Sequence, residues 1–324
     1  MSSIPAVSIV VPLLNEAGNI ERLVEGVERV LDARGEPYEI VLVDDGSTDD
    51  SLPILARVEA ASTHVRVFEL VRNFGQAPAL ACGLIESRGA VVVTMDGDLQ
   101  NPPEEIPRLL DAIEAGAFVV TGCRGVRHEH TWRWLGSRLV HWTARLLTGV
   151  DIHDFGGQFK AYRREVITHT LEVWAPGKPF FPLALWLGFP VAEVVVRHDP
   201  RAVGASRYTF ASLVRTNLDL ITSFTTIPLI ALGGVGALLA AAGLAGLFAR
   251  AADMGVSRFA AMASLAALST GAVIAAVGIV GVYLARIYRH VAGGGTGYVI
   301  RRRPMADTSA LTPVPAPRLA GDGR

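Results

Sequence analysis

The chain predicts an α/β domain on a mostly parallel sheet, followed by two helices that span a membrane. Three observations carry this expectation. Up to Cys123, short apolar runs alternate with helical patterns, the order of repeated strand–helix units. Farther on, Leu220–Ala249 and Phe259–Ala285 run for 30 and 27 residues without a charge or a histidine. Charge is divided the same way: residues 1–123 hold 8 Arg and no Lys against 20 Asp and Glu, and the remainder holds 22 Lys and Arg against 11 Asp and Glu. A carboxylate-rich first half and a basic second half thus hide behind a net charge of −1. The basic half suits an anionic ligand or anionic lipid headgroups.

The strands expected in order are Val7–Val11, Glu39–Val43, Val65–Leu70, Ala90–Met95 and Phe118–Thr121. Helical patterns separate them over Ile20–Leu31, Asp50–Ala60, Gln76–Glu86 and Pro103–Ala115. Strands that short and apolar are buried on both faces, as in a parallel sheet covered by helices. Ligands of such sheets bind beyond the carboxyl ends of the strands. The polar clusters fall there: Asn15-Glu16, Asp44-Asp45-Gly46-Ser47, Arg72-Asn73 and Asp96-Gly97-Asp98. No G-x-G-x-x-G follows the first strand, and neither a P-loop nor an H-E-x-x-H occurs, which excludes the usual dinucleotide, P-loop and zinc-protease chemistries.

Each apolar run exceeds the roughly 20 residues that cross a bilayer. Only RAADMGVSR separates them, so the pair reads as a hairpin that leaves residues 1–219 and the C-terminus on one side. Arg286, Arg289 and Arg301–Arg303 follow the second run and mark that side as cytoplasmic. The start MSSIPAVSIVVPLLNEAG lacks the basic n-region of a signal peptide. Two cysteines, Cys82 and Cys123, make no disulfide scaffold. At 50% hydrophobic and 19% charged residues the chain is not a disordered one, although its tail from Pro304 is rich in Pro, Ala, Ser and Thr and is expected to be. The expected divisions are a catalytic domain over 1–209, an amphipathic juxtamembrane helix over 210–223, membrane helices over 224–249 and 259–285, and the tail 304–324.

Asp96-Gly97-Asp98-Leu99-Gln100 carries the sharpest chemical signal. Two carboxylates one residue apart at a strand end can face one hard cation, with Gln100 as a third oxygen. Mg²⁺ or Mn²⁺ held there would bridge a nucleotide diphosphate and stabilise it as it leaves. The competing reading is a solvated turn before Asn101-Pro102-Pro103. Asp44 and Asp45 can accept from a base N–H and ribose hydroxyls; the competing reading makes one of them an N-cap of the helix after GSTDDS.

The segments VSIVVPLLNEAGNI, VLVDDGSTDDS, RNFGQAPAL and MDGDLQNPPEEIP resemble the family 2 glycosyltransferases of GT-A fold. With RAVGASRYTFASL and the two apolar runs, the chain is similar to the polyprenyl-phosphate glycosyltransferases, the dolichol-phosphate-mannose-synthase-like group. DFGGQFKAYRREV and DLITSFTTIPL look most like its bacterial undecaprenyl-phosphate 4-deoxy-4-formamido-L-arabinose transferases. The resemblance implies a GT-A catalytic domain with a Rossmann-like, mostly parallel sheet. It implies that Asp96, Asp98 and Gln100 bind the metal, and that Pro12, Asn15, Glu16, Asp44, Asp45, Arg72 and Asp96 line the donor pocket. It places Arg124 near the donor diphosphate, Asp154 in the acceptor loop, and Arg201, Ser206 and Arg207 on the acceptor phosphate. The catalytic set is Asp98, Asp154 and Arg124, with Asp154 open between base, orienter of an arginine and structural residue. Gly97, Asn101 and Arg207 stand where Ala, Asp and Lys are usual in the group. No Q-x-x-R-W of a processive synthase is present.

The expected reaction is inverting transfer of a sugar, UDP-linked, to undecaprenyl or another polyprenyl phosphate at the cytoplasmic face of the bacterial inner membrane. The acceptor phosphate has a second pKa of about 6 and is already mostly dianionic. Catalysis then needs cations that hold two anions together more than it needs a base. Expected partners are the nucleotide sugar, the lipid phosphate, the membrane and further copies of the chain, as in a tetramer; nucleic acid is not among them. Thr131–Thr148 reads as an interfacial helix with Trp132, Trp134 and Trp142 at headgroup level; the competing reading is an amphipathic helix packed on the sheet or on another subunit. The alternatives are an inactive lipid-carrier-binding scaffold or a transferase with a non-lipid acceptor.

Overall fold

The computed structural model describes residues 4–124, 157–174, 179–199 and 297–304, with isolated positions elsewhere. The segments 125–144 and 200–261, the tail from 305, Asp154 and most of 259–285 lie outside the described residues. With them lie the expected interfacial helix (apart from Arg145), the juxtamembrane helix and the first apolar run. Among the described residues no helix is long and apolar enough to cross a membrane. Two compact units form, one from the stretch up to Pro107 with Asp199 and the residues from Tyr298 on, the other from Arg108 to His198.

The first unit alternates β1 (Val7–Leu13), α1 (Ile20–Arg34), β2 (Tyr38–Asp44), α2 (Ser51–Ala61), β3 (Val65–Leu70), α3 (Gln76–Glu86) and β4 (Val91–Thr94). A short strand from the far end of the chain, designated β8 (Ile300–Arg302), completes it. Strand order is β4-β1-β2-β3-β8. The first three pairings are parallel and the last is antiparallel. Every residue of β1 and β2 is buried, as strands covered on both faces require. Full burial of each Ile or Val in β1 stabilises the sheet by roughly 1.5–3 kcal/mol. Pro12 lies past the end of the β1–β4 ladder, which stops at Val10↔Thr94, so its missing N–H breaks no bond there.

Helix α1 buries Ile20, Leu23, Val24, Val27 and Leu31, one stripe at three- and four-residue spacing. It ends at Gly35, whose left-handed φ of 76° lets its N–H reach the Leu31 carbonyl. Helix α3 is apolar almost throughout and packs on β1 and β2. At the amino edge of the sheet, buried Glu39 accepts from Ser8 Oγ at 2.6 Å and from Arg66 Nη1 at 2.8 Å, tying β1, β2 and β3 together.

The second unit contains β5 (Val119–Arg124), β6 (Lys160–Arg163), α5 (Arg164–Val173), α6 (Phe180–Trp186) and β7 (Val191–Val196). Strand β5 pairs antiparallel with β6 and parallel with β7. Helix α4 (Ile106–Glu114) precedes β5, and Arg163 donates to the carbonyls of Ile113 and Ala117 at its end. Lys160 is buried, its Nζ 4.3 Å from the Phe181 ring centroid.

The expected mostly parallel α/β architecture is therefore present. The five strands expected up to Cys123 are all found, with ends shifted by at most three residues because the ladder partners, not the apolar run, set where pairing stops. Strands β6, β7 and β8 were not expected; β6 reads KAYR and β8 reads IRR, and neither alternates apolar with polar.

Candidate active site

Four loops leave the carboxyl ends of β1, β2, β3 and β4, and side chains of one hold the backbone of another. After β1, Asn15 has a left-handed φ of 57°, which asparagine tolerates. Its N–H donates to Ser47 Oγ at 2.9 Å, and its Oδ1 accepts from the Thr48 N–H at 2.8 Å. Next to it the Glu16 N–H donates to Ser51 Oγ at 3.1 Å, and Glu16 Oε2 accepts from Asn19 Nδ2 at 2.7 Å. The first loop is thereby clasped to the second.

Asp44 ends β2 fully buried. Its Oδ2 accepts the N–H groups of Gly46 and Ser47, each at 3.1 Å, while its buried Oδ1 has no hydrogen-bond partner. Burial pushes this carboxyl above its usual range, against the opposing pull of Ser47 and Gly46. Asp45 is also raised by burial, and its oxygens accept the N–H groups of Phe74 and Gly75 at 2.7 and 2.8 Å. Neither aspartate caps α2, whose N-cap is Asp50. Asp45 instead fixes the loop that enters α3.

That loop lies against Gly46. A Cβ on Gly46 would stand 2.5 Å from both Arg72 C and Asn73 N, and its φ is +74°. Gly46→Ala must therefore strain its own backbone or push the Arg72–Gly75 loop away. A loss of about 1–3 kcal/mol in stability is expected, read as a lower unfolding midpoint in detergent. In the same loop the Arg72 guanidinium sits 4.1 Å from the Phe74 ring centroid.

After β4, Asp96 Oδ1 accepts from Gln76 Nε2 at 2.8 Å, which joins the D-x-D turn to the start of α3. Gly97 abuts the end of β1: a Cβ there would fall 2.2 Å from Cδ2 of the buried Leu13, which would have to shift. Asp98 is buried, and its Oδ1 accepts the Gln100 N–H at 3.1 Å. Leu99 between them has a φ of 58°, a strained conformation for a bulky residue. Strain of this kind collects at functional turns. The Gln100 carbonyl accepts the Asp199 N–H at 2.8 Å, which brings the chain to within two residues of Arg201.

The fold thus gathers Pro12, Asn15, Glu16, Asp44, Asp45, Arg72, Asp96, Asp98 and Gln100 at the carboxyl edge of one sheet. Arg124 ends β5 in the other unit, in register with Val196. Asp154, Arg201, Ser206 and Arg207 lie outside the described residues. Gln76, bonded to Asp96, is a neighbour of these residues that the sequence does not single out. Its signal was slight: a side chain following Gly75 at a helix start.

Among the described residues no group of three or more His, Cys, Asp or Glu can hold a metal by itself. Asp96 and Asp98 supply an oxygen-only pair on one turn. Such a pair fits Mg²⁺ or Mn²⁺ as an open site, where diphosphate oxygens and water complete the coordination.

The model of the glycosyl transferase family 2 matches residues 8–171. The chain is 38% identical, over 95% of its length and 94% of the relative's, to the undecaprenyl-phosphate 4-deoxy-4-formamido-L-arabinose transferase of Pseudomonas paraeruginosa. It is 37% identical to the enzyme of that name from Shewanella sediminis, over 92% of each chain. Among solved structures it is similar to the glucosyl-3-phosphoglycerate synthase of Mycobacterium tuberculosis, with a TM-score of 0.48 and 21% identity over 68% of this chain and 79% of that one.

Proposed function

The chain belongs to glycosyl transferase family 2, and on that premise we propose that it moves a sugar from a nucleotide diphosphate to undecaprenyl phosphate at the cytoplasmic face of the bacterial inner membrane. The observation that carries this reading is near-full-length relatedness to enzymes whose names state that acceptor. A sugar of the 4-deoxy-4-formamido-L-arabinose kind, UDP-linked, is the first donor to test. The clasped loops bring their carboxylates and backbone groups together at the sheet edge where such a donor would bind.

In this reading Asp44, with its unpartnered Oδ1, is the acceptor toward the nucleoside, and Asp45 holds the loop from Arg72 that closes one side of the site. Asp96 and Asp98 hold Mg²⁺ or Mn²⁺, with Gln100 beside them, and the cation supplies neutralisation of the donor diphosphate. A phosphate oxygen of the lipid attacks the anomeric carbon from the face opposite the diphosphate. The new C–O bond forms as the old one breaks, the nucleoside diphosphate leaves, and the configuration inverts. Arg124 balances charge at the leaving group, while Arg201, Ser206 and Arg207 hold the acceptor. The Asp199–Gln100 bond supports this placement, because it brings the start of the acceptor segment to the metal loop. Asp154 orients an arginine, takes a proton or serves the acceptor loop structurally.

The pairing of β8 with β3 supports the hairpin topology. Two strands of one sheet share a side of any bilayer, and a pair of crossings between them is compatible with that. The test is incubation of membranes bearing the protein with UDP- and GDP-sugars and radiolabelled undecaprenyl phosphate. One donor is expected to yield a glycosylated lipid. No transfer from any donor, or transfer only to a water-soluble acceptor, would overturn the proposal.

A further inference from the structure

We infer that residues 298–304, which follow both apolar runs, are a positioning element of the donor pocket: β8 holds the exit of β3 and through it the Arg72–Gly75 loop. The inference rests on the reading of that loop as part of the donor site.

Strand β3 would be the outer strand of its sheet without β8, and an unpaired outer strand frays or finds other partners. Strand β8 pairs with its last two residues, Glu69↔Arg302 and Leu70↔Ile300, across a register shift between them. The ladder continues one step farther, where the Val71 N–H donates to the Val299 carbonyl at 3.0 Å. That bond is the last before Arg72. The next fixed points are Phe74 and Gly75, whose N–H groups Asp45 takes. The loop is thus held from both ends, by β8 on one side and Asp45 on the other.

The run Arg301–Arg303, expected from sequence only as the positive flank of a membrane helix, is committed to three different elements. Arg301 pairs with Glu69 of β3 at 3.0 Å and Arg303 with Glu86 of α3 at 2.9 Å. Arg302 pairs with Glu59 of α2, whose side chain is 5% exposed. Glu59 also accepts the Val67 N–H at 2.9 Å, so one carboxylate joins α2, β3 and β8. Pro304, just past β8, is buried. Exposed pairs contribute little singly, but a carboxylate as buried as Glu59 is poorly compensated once its arginine is gone. Glu69 is also close enough for its charge to bear on Asp44, and Arg301 offsets that charge.

The experiment uses the full chain in detergent and compares wild type with a variant carrying Arg301→Ala, Arg302→Ala and Arg303→Ala, and with the corresponding triple lysine variant. Amide hydrogen exchange over residues 71–76 and titration with UDP, and with GDP for wild type, each plus Mn²⁺, are the readouts. In the alanine variant the amides of 71–76 should exchange faster while those of β1 and β2 hold. UDP affinity and the KM for donor should weaken about 5- to 30-fold, with the KM for lipid phosphate unmoved. Lysine should recover most of the loss. If the triple variant does not fold, Arg302→Ala alone, which strips the buried Glu59 of its arginine, serves with the same readouts. Unchanged exchange at 71–76, uniformly faster exchange throughout the sheet, or unchanged UDP affinity beside normal wild-type binding would each overturn the role of β8. Wild type that binds neither UDP nor GDP would instead overturn the donor-pocket reading, and this inference with it.

Discussion

Replacing Asp98 with alanine is expected to abolish transfer, and treating the wild-type enzyme with EDTA is expected to do the same. Loss of one carboxylate ligand of a divalent site removes several kcal/mol of charge stabilisation, a rate effect of about a thousandfold or more. Asp98 has a second duty that alanine would confuse with the first, because its Oδ1 accepts the Gln100 N–H and so shapes the turn. Asp98→Asn keeps an acceptor oxygen and loses only the charge, and it too should be inactive. Mn²⁺ or Mg²⁺ added back should restore the EDTA-treated wild type and neither variant. Titration calorimetry with UDP gives a readout apart from turnover: Mn²⁺ should tighten UDP binding by wild type and not by Asp98→Asn. Full activity in EDTA, or an Asp98→Asn enzyme with wild-type rate, would remove the metal assignment.

Arg201→Ala and Arg207→Ala are expected to depress kcat/KM for polyprenyl phosphate while leaving affinity for the nucleotide sugar nearly unchanged. Each lost charge-assisted contact should cost about 1.5–3 kcal/mol, on the order of 10- to 100-fold. The two arginines belong to a Gly- and Ser-containing segment between Asp199 and the first apolar run. A cation in that stretch of chain is suited to a lipid headgroup. The competing account is that both arginines only attract bulk anionic lipid. A solubilised enzyme with a short-chain acceptor separates the two, since under the competing account neither substitution would matter there. Arg207→Lys should keep part of the activity, because the charge survives while the bidentate geometry is lost. An equal loss of donor affinity would move these arginines to the diphosphate.

The parts of the site that were legible in advance share a physical property: their signal is local. A buried parallel strand must be apolar on both faces, and the polar residues that end it must lie at the sheet's ligand-binding edge. From that logic alone Asn15, Asp44, Asp45, Asp96 and Asp98 fall at one edge, and the structure gathers them there. The individual duties were not legible. Asp44 and Asp45 are neighbours of one residue type, yet one keeps a buried oxygen without a partner and the other spends both oxygens on the Phe74–Gly75 backbone. That difference depends on which loop lies opposite, and the opposite loop is decided by the order of strands.

Residue periodicity, strand-end chemistry and the two long apolar runs determined the α/β class, the acidic edge and the expected tie to a membrane, because each is written in neighbouring residues. Only the tertiary structure decided that Gln76 meets Asp96, that Gly46 must lack a Cβ because the Arg72–Asn73 backbone lies on it, and that Arg301 pairs with Glu69, 232 residues earlier. A three-residue strand has too little pattern of its own to announce its partner. Its place is set by the unpaired edge of β3 and by carboxylates that α2, α3 and β3 bring to that edge, and these exist as one surface only after the sheet has formed.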